Sequence, residues 1–198
     1  MRIGLFGGTF DPPHTGHLIV AQDAALALGL DRILFIPAGQ PPHKEPRSVT
    51  PAELRVGMLE LALGGDDRFA IDRLEVEREG ASYTVDTLGE LQRRWPGAEL
   101  TLLIGADQYA EFDSWQRPDE IRQRVRLGVL TRAGSGAAGP AIGPDAAVVE
   151  VTRIDISSTA LRKRVASGLP IRYMVPAAVE RFIFERQLYS RNGPVVTG

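Results

Sequence analysis

Apolar residues are spaced along this chain in two ways. Short, nearly continuous apolar runs occur at Arg2 to Phe6, Arg32 to Ile36, Leu100 to Ile104, Arg126 to Leu130 and Ala147 to Val151. Most are stopped by glycine or proline, which predicts buried strands. Longer stretches between them carry apolar residues at helical spacing. One helix is expected from about Gly16 to Leu28, with Thr15 as N-cap, Gly29 as stop, and Leu18, Ile19, Ala21, Ala25 and Leu26 as its core stripe. Thr50-Pro51 opens a second, with Leu54, Met58, Leu61 and Ala62 on one face. Further helices are expected over Thr84 to Arg94, Ser157 to Ala166 and Ala177 to Arg186, and an extended segment over Phe69 to Glu77. Two polar or small-residue stretches, Ala38 to Ser48 and Arg132 to Pro144, read as loops.

Strands that alternate with helices, and are apolar on both faces, predict an α/β fold: a Rossmann-like parallel sheet with helices on both faces. Residues 1–190 are expected to form one domain, with the C-terminal helices from about 157 completing its site and 191–198 a flexible tail. Such sheets bind ligands at the carboxyl ends of their strands. The first strand ends at Gly7, so the site is expected there.

Composition narrows the possibilities. The 198 residues include 23 Lys and Arg against 25 Asp and Glu, a formal charge of −2, which argues against a broad nucleic-acid surface. The absence of cysteine excludes disulfides, thiolate catalysis and cysteine-based zinc sites. No apolar run approaches a membrane span, and the first residues do not read as a signal peptide. A cytoplasmic protein is expected; oligomeric state is not readable, and a homo-oligomer stays open.

The candidate chemistry begins at Gly7-Gly8-Thr9-Phe10-Asp11-Pro12-Pro13-His14-Thr15-Gly16-His17. Two glycines after a buried strand let backbone N–H groups approach a ligand closely. The following helix offers its unpaired N–H groups and positive dipole end to an anion. His14 and His17 are three apart, so both rings can flank the first turn. Two of the three histidines in the chain lie here, and the third, His43, follows the second strand. A metal reading of the pair lacks a third ligand, so no protein-bound metal is expected.

At these residues the chain resembles the (G/T)xFDPxHxGH signature of the HIGH-type nucleotidyltransferases. The resemblance implies that Gly7, Gly8, Thr9, Phe10, His14, Gly16 and His17 bind ATP, with His17 the main catalytic histidine and Gly16 leaving room for the nucleotide. Ile156-Ser157-Ser158-Thr159-Ala160-Leu161-Arg162 is similar to the ISSTxxR motif of the same superfamily. Read locally, Ser157 or Ser158 caps a helix and Arg162 is a solvated residue. The resemblance implies that Ile156, Ser157, Ser158 and Arg162 meet the ATP phosphates, and adds Arg162 to the catalytic set. Gly105 and Asp107, after the third long strand run, look like the superfamily's GxD, although a loop aspartate capping its own turn fits equally well locally.

Three features resemble nicotinate-nucleotide adenylyltransferases: Gln40-Pro41-Pro42-His43-Lys44, Ser82-Tyr83-Thr84-Val85-Asp86-Thr87-Leu88, and Trp115. They imply an acceptor site of His43, Lys44, Tyr83, Thr84 and Trp115. The positive donors would suit a phosphate, the helix start at Thr84 a carboxylate, and the indole a pyridine ring. Lys44 alone could equally be solvated, and Trp115 a core aromatic. The implied reaction transfers the adenylyl group of ATP to nicotinate mononucleotide. It yields nicotinate adenine dinucleotide and pyrophosphate, a step in NAD biosynthesis, with Mg²⁺ accompanying ATP. Nicotinamide mononucleotide or phosphopantetheine are alternative acceptors, and a non-catalytic nucleotide-sensing module is the alternative from another class.

Overall fold

A computed structural model describes residues 1–39, 49–132 and 142–190. Among these, six strands form one all-parallel sheet: β1 (Arg2–Gly8), β2 (Arg32–Pro37), β3 (Phe69–Ile71), β4 (Glu99–Gly105), β5 (Arg126–Arg132) and β6 (Ala146–Val151). Their order across the sheet is β3-β2-β1-β4-β5-β6. The chain therefore winds outward from β1 to one edge, returns, and winds outward from β4 to the other. β1 and β4 are neighbours whose connections depart in opposite directions, which opens a crevice at their carboxyl ends.

Alternation along the strands builds two cores. Ile3, Leu5, Leu34, Ile36, Leu100, Leu102 and Ile104 face one side, where α4 (Thr84–Arg94) contributes Val85, Leu88 and Leu91, and α6 (Pro118–Arg124) contributes Ile121. Ile33, Phe35, Leu103 and Val149 face the other, against α1 (Thr15–Leu28) and α2 (Ala52–Leu63). Each buried aliphatic side chain contributes roughly 1.5–3 kcal/mol. A third cluster joins Met58 of α2 to α7 (Ser158–Ala166) and α8 (Ala177–Glu185) through Leu161, Val165, Val179 and Ile183.

Several expectations need correction. α1 buries its small residues, Gly16, Ala21, Ala24 and Ala25, while Leu26 is 70% exposed. Small side chains let the helix lie close on the sheet; a Cβ on Gly128 of β5 would stand 3.1 Å from Leu28 and 2.9 Å from Leu103. On α2 the buried residues are Arg55, Val56, Met58, Leu59 and Leu63, and Leu61 is exposed, so the inward face is rotated from the one expected. Phe69 to Glu77 is not extended throughout: after β3, Leu74–Glu77 forms a single helical turn, α3, which accounts for the apolar Leu74 being buried. The loop stretches meet the undescribed residues 40–48 and 133–141, and the expected tail, 191–198, also lies outside the described residues.

Candidate active site

The crevice between β1 and β4 is floored by the start of the glycine-rich loop. Gly7 is exposed, and a Cβ there would meet nothing within 4 Å. Gly8 is required by Phe10, whose ring would lie 2.9 Å from a Cβ at position 8. Phe10 adopts a left-handed φ of 50° and is 2% exposed, packed edge-on to Phe6, His17 and near Phe35. The expectation of ATP contact by Phe10 is therefore corrected for its side chain, which the fold turns inward to back His17.

α1 begins one residue earlier than expected: Thr15 is its first residue and His14, not Thr15, its N-cap. The backbone N–H of His14 donates to Nδ1 of His17 at 3.1 Å. That bond leaves Nε2 of His17 to carry the ring hydrogen. The two imidazoles stack at 3.7 Å between centroids with planes 22° apart. Nδ1 of His14 is buried without a hydrogen-bond partner. A Cβ on Gly16 would stand 3.0 Å from that nitrogen, so the glycine lets the His14 ring lie flat over the helix start. Burial lowers the pKa of His14 to about 4; burial and then the neighbouring His14 lower that of His17 to about 3. Both rings are neutral at pH 7.

Residues from distant parts of the chain hold this loop. Oγ of Ser158 donates to the carbonyl of Pro12 at 2.8 Å, and Nη1 of Arg162 to the carbonyl of Asp11 at 2.7 Å. Ser157 is the true cap of α7, accepting from the N–H of Ala160 at 3.2 Å. Ser158 and Arg162 thus stitch the second motif onto the first. Arg55, which sequence reasoning missed, is 1% exposed and donates to the carbonyls of Thr9 (2.9 Å), Thr50 (2.8 Å) and Gly39 (3.2 Å). Asp11 is also buried, and accepts from the Tyr189 hydroxyl at 2.6 Å and the Thr50 N–H at 3.2 Å.

Two clefts open on either side of the loop. The larger, about 460 Å³, is lined by Gly7, Gly8 and Thr9 together with Tyr83, Thr84 and Trp115. Trp115 is half-buried against Phe112 at 5.1 Å, so its indole is both a core aromatic and part of the cleft wall. Thr84 is the first residue of α4, behind Tyr83 as cap. Beneath it the Thr87 hydroxyl donates to Glu75 at 2.8 Å, and burial pushes the Glu75 carboxyl up. The smaller cleft, about 160 Å³, is lined by His14, Gly16, His17, Ile154 and Ile156. Asp107 is exposed in a short helix, α5 (Ala106–Ala110), directly after Gly105; it lines neither cleft. His43 and Lys44 lie outside the described residues. A wider, shallow groove of about 830 Å³ between α4 and α6 carries arginines paired to Glu90, Asp86 and Glu120; of the motif segments it holds only Val85 and Asp86, and none of the candidate site residues.

A doubly wound parallel sheet with a glycine loop and an imidazole pair at its switch point defines an α/β nucleotidyltransferase. The cytidylyltransferase-like family profile matches residues 5–164. The chain is 44% identical over 191 residues to a "probable nicotinate-nucleotide adenylyltransferase" of Shouchella clausii, covering 96% of this chain and 98% of the relative. It is 45% identical over 195 residues to one so named in Thermomicrobium roseum, covering 95% and 91%. The chain belongs to the nicotinate-nucleotide adenylyltransferase family. The solved nicotinic acid mononucleotide adenylyltransferase of Plasmodium falciparum, complexed with NaAD, shares the fold at a TM-score of 0.78 and 17% identity, over 95% of this chain and 97% of that one.

Proposed function

We propose that this enzyme transfers the adenylyl group of ATP to nicotinate mononucleotide, forming nicotinate adenine dinucleotide and pyrophosphate for NAD biosynthesis. The observation that carries the reading is the neutral imidazole pair at the start of α1, on the loop that lines both clefts. The larger cleft takes the acceptor: Trp115 offers a face to the pyridine ring, and the N-terminus of α4 at Tyr83 and Thr84 offers N–H groups to the carboxylate. His43 and Lys44 would supply donors for its phosphate. The smaller cleft, with Ile156, takes the nucleoside end of ATP, and Asp107, after Gly105 at the end of β4, is assigned to a ribose hydroxyl on the family resemblance alone.

The acceptor phosphate oxygen attacks the α-phosphorus in line. A P–O bond forms, the bond to the bridging oxygen breaks, and pyrophosphate leaves with that electron pair. No side-chain nucleophile is needed, so catalysis rests on positioning and charge stabilisation. His17 donates from Nε2 to the oxygens of the α-phosphorus; being neutral, it works as a preorganised dipole at the positive end of α1. His14 and Arg162 take the outer phosphates, and Arg162 has donors to spare beyond those on Asp11 and Thr159. Gly7, Gly8, Thr9, Gly16, Gly105, Ser157 and Ser158 shape the grip.

Among the described residues no group of three His, Asp or Glu side chains could cage a metal ion, and Asp11, the carboxylate within the loop, has both oxygens engaged inward. The donor set suits Mg²⁺ that arrives on the triphosphate, where it neutralises phosphate charge. Because α7 binds the loop directly, residues 1–190 are read as one catalytic domain. No helix among the described residues is long and apolar enough to cross a membrane, and the lack of cysteine suits a reducing cytoplasm. ATP and nicotinate mononucleotide are the expected partners, with oligomeric state open.

The deciding experiment measures pyrophosphate release from ATP with nicotinate mononucleotide, nicotinamide mononucleotide and phosphopantetheine in parallel. Preference for the first supports the reading. Equal rates, or a preference for another acceptor, would replace it, and no transfer to any acceptor would leave only nucleotide sensing.

A further inference from the structure

We propose that Tyr189 is a positioning residue for adenylyl transfer: its hydroxyl, through the carboxylate of Asp11, fixes the loop that carries the two histidines. This rests on the reading of Gly7 to His17 as the triphosphate grip.

Asp11 is 2% exposed, and a carboxylate so buried is tolerated only when paired and hydrogen-bonded. Oδ1 accepts from Tyr189 at 2.6 Å and Oδ2 from the Thr50 N–H at 3.2 Å, while Arg55 supplies positive charge nearby. Both oxygens therefore point into the protein. The carboxylate is an anchor for its own backbone, three residues ahead of His14. That backbone is the part of the loop that the ATP motifs share: Arg162 holds the Asp11 carbonyl and Ser158 the Pro12 carbonyl.

Tyr189 reaches this position by an unusual route. After α8 the chain turns back through Gln187 and Tyr189, both in the left-handed region at φ 53° and 63°, a conformation disfavoured for residues with a Cβ. Leu188 between them is buried in the third core cluster and anchors the turn. The phenol is half-buried beside Met58, and desolvation and Asp11 hold its pKa well above the ordinary value, so it remains a donor at all working pH. Asp11 and Tyr189 lie 178 positions apart, and no motif at the chain's end marks the link.

Tyr189→Phe removes the hydroxyl and keeps the ring, and Asp11→Asn keeps the shape of the carboxylate. For each, kcat, the KM for nicotinate mononucleotide and the melting temperature are measured beside the wild type. The expected result for Tyr189→Phe is a kcat lower by about tenfold, from one lost charge-assisted hydrogen bond, with the acceptor KM changed less than about twofold. Asp11→Asn should lose a similar factor or more, since it also alters the bond from the Thr50 N–H, and the double variant should be no worse than Asp11→Asn, because the Tyr189 hydroxyl acts through Asp11. A merely structural staple would lower the melting temperature and leave kcat alone. Wild-type kcat in Tyr189→Phe, or losses that multiply in the double variant, would overturn the proposal. Should Tyr189→Phe fail to fold, Asp11→Asn decides alone, and wild-type kcat there overturns it. If the wild type itself transfers no adenylyl group, the reading of function fails and takes this proposal with it; if the wild type is active and the variants are too, only this proposal fails.

Discussion

On the proposed reading, His17 would serve as a donor at neutral pH because its ring is kept uncharged and its hydrogen is assigned. The His14 N–H occupies Nδ1, which leaves Nε2–H for a phosphate oxygen. His17→Ala should lower kcat by about 10² or more, the usual loss for one preorganised donor, with the melting temperature little changed; near-normal turnover would remove His17 from the mechanism. The same burial has a stability consequence with a definite sign. Folded pKa values of about 4 for His14 and about 3 for His17 lie below the ordinary 6.5. The unfolded chain then binds more protons between pH 6.5 and about 4, so stability is lost as the pH falls through that window, by up to about 1.4 kcal/mol per pH unit for each ring. A His14→Gln/His17→Gln variant should lose less melting temperature between pH 7 and pH 5 than the wild type; parallel losses would refute the assignment. These two rings were legible in the sequence because three residues and one helix turn set their geometry. Arg55 was not: nothing adjacent to it in the chain marks it, and only the carbonyls of Thr9, Gly39 and Thr50 that the fold brings to it explain its burial.

Between elements, the contact that matters is α7 against the loop before α1. Local sequence showed that a hydroxyl caps α7 but could not choose between Ser157 and Ser158, since either can start the helix. Tertiary structure separates them: Ser157 caps, and Ser158 turns to Pro12. Ser157→Ala should cost about 1 kcal/mol of stability, read as a lower denaturant midpoint. Ser158→Ala, which frees the loop, should raise the KM for ATP several-fold beyond any change in the KM for nicotinate mononucleotide; equal changes in both would argue against a role specific to the ATP side. The stripe expected for α1 failed at Leu26 for a related reason. Apolarity marks the residues able to be buried, whereas close approach to the sheet selects the small ones, Ala21, Ala24 and Ala25.

At the scale of the whole molecule, on the proposed reading ATP would touch residues from Gly7 to Arg162, while Tyr189 hydrogen-bonds Asp11 of the same loop. Ligand bound only by the folded state stabilises all of it. ATP at about 100 times its Kd should add about 2.7 kcal/mol, which for a chain of this size raises the melting temperature by roughly 5–10 °C. A thermal-shift titration checks this, and an ATP-independent midpoint would count against the grip. The alternation of apolar strands and helices determined the α/β class, and the spacing within Gly7 to His17 determined a glycine turn leading into a histidine-bearing helix start, because both depend on neighbours along the chain. The strand order that sets β1 beside β4, the inward turn of Phe10, and the cluster of Asp11, Arg55 and Tyr189 were decided only by the tertiary structure. Each depends on contacts made tens to hundreds of residues apart, such as β1 with β4, Phe10 with Phe35 and Asp11 with Tyr189, and no local pattern records where those partners will be.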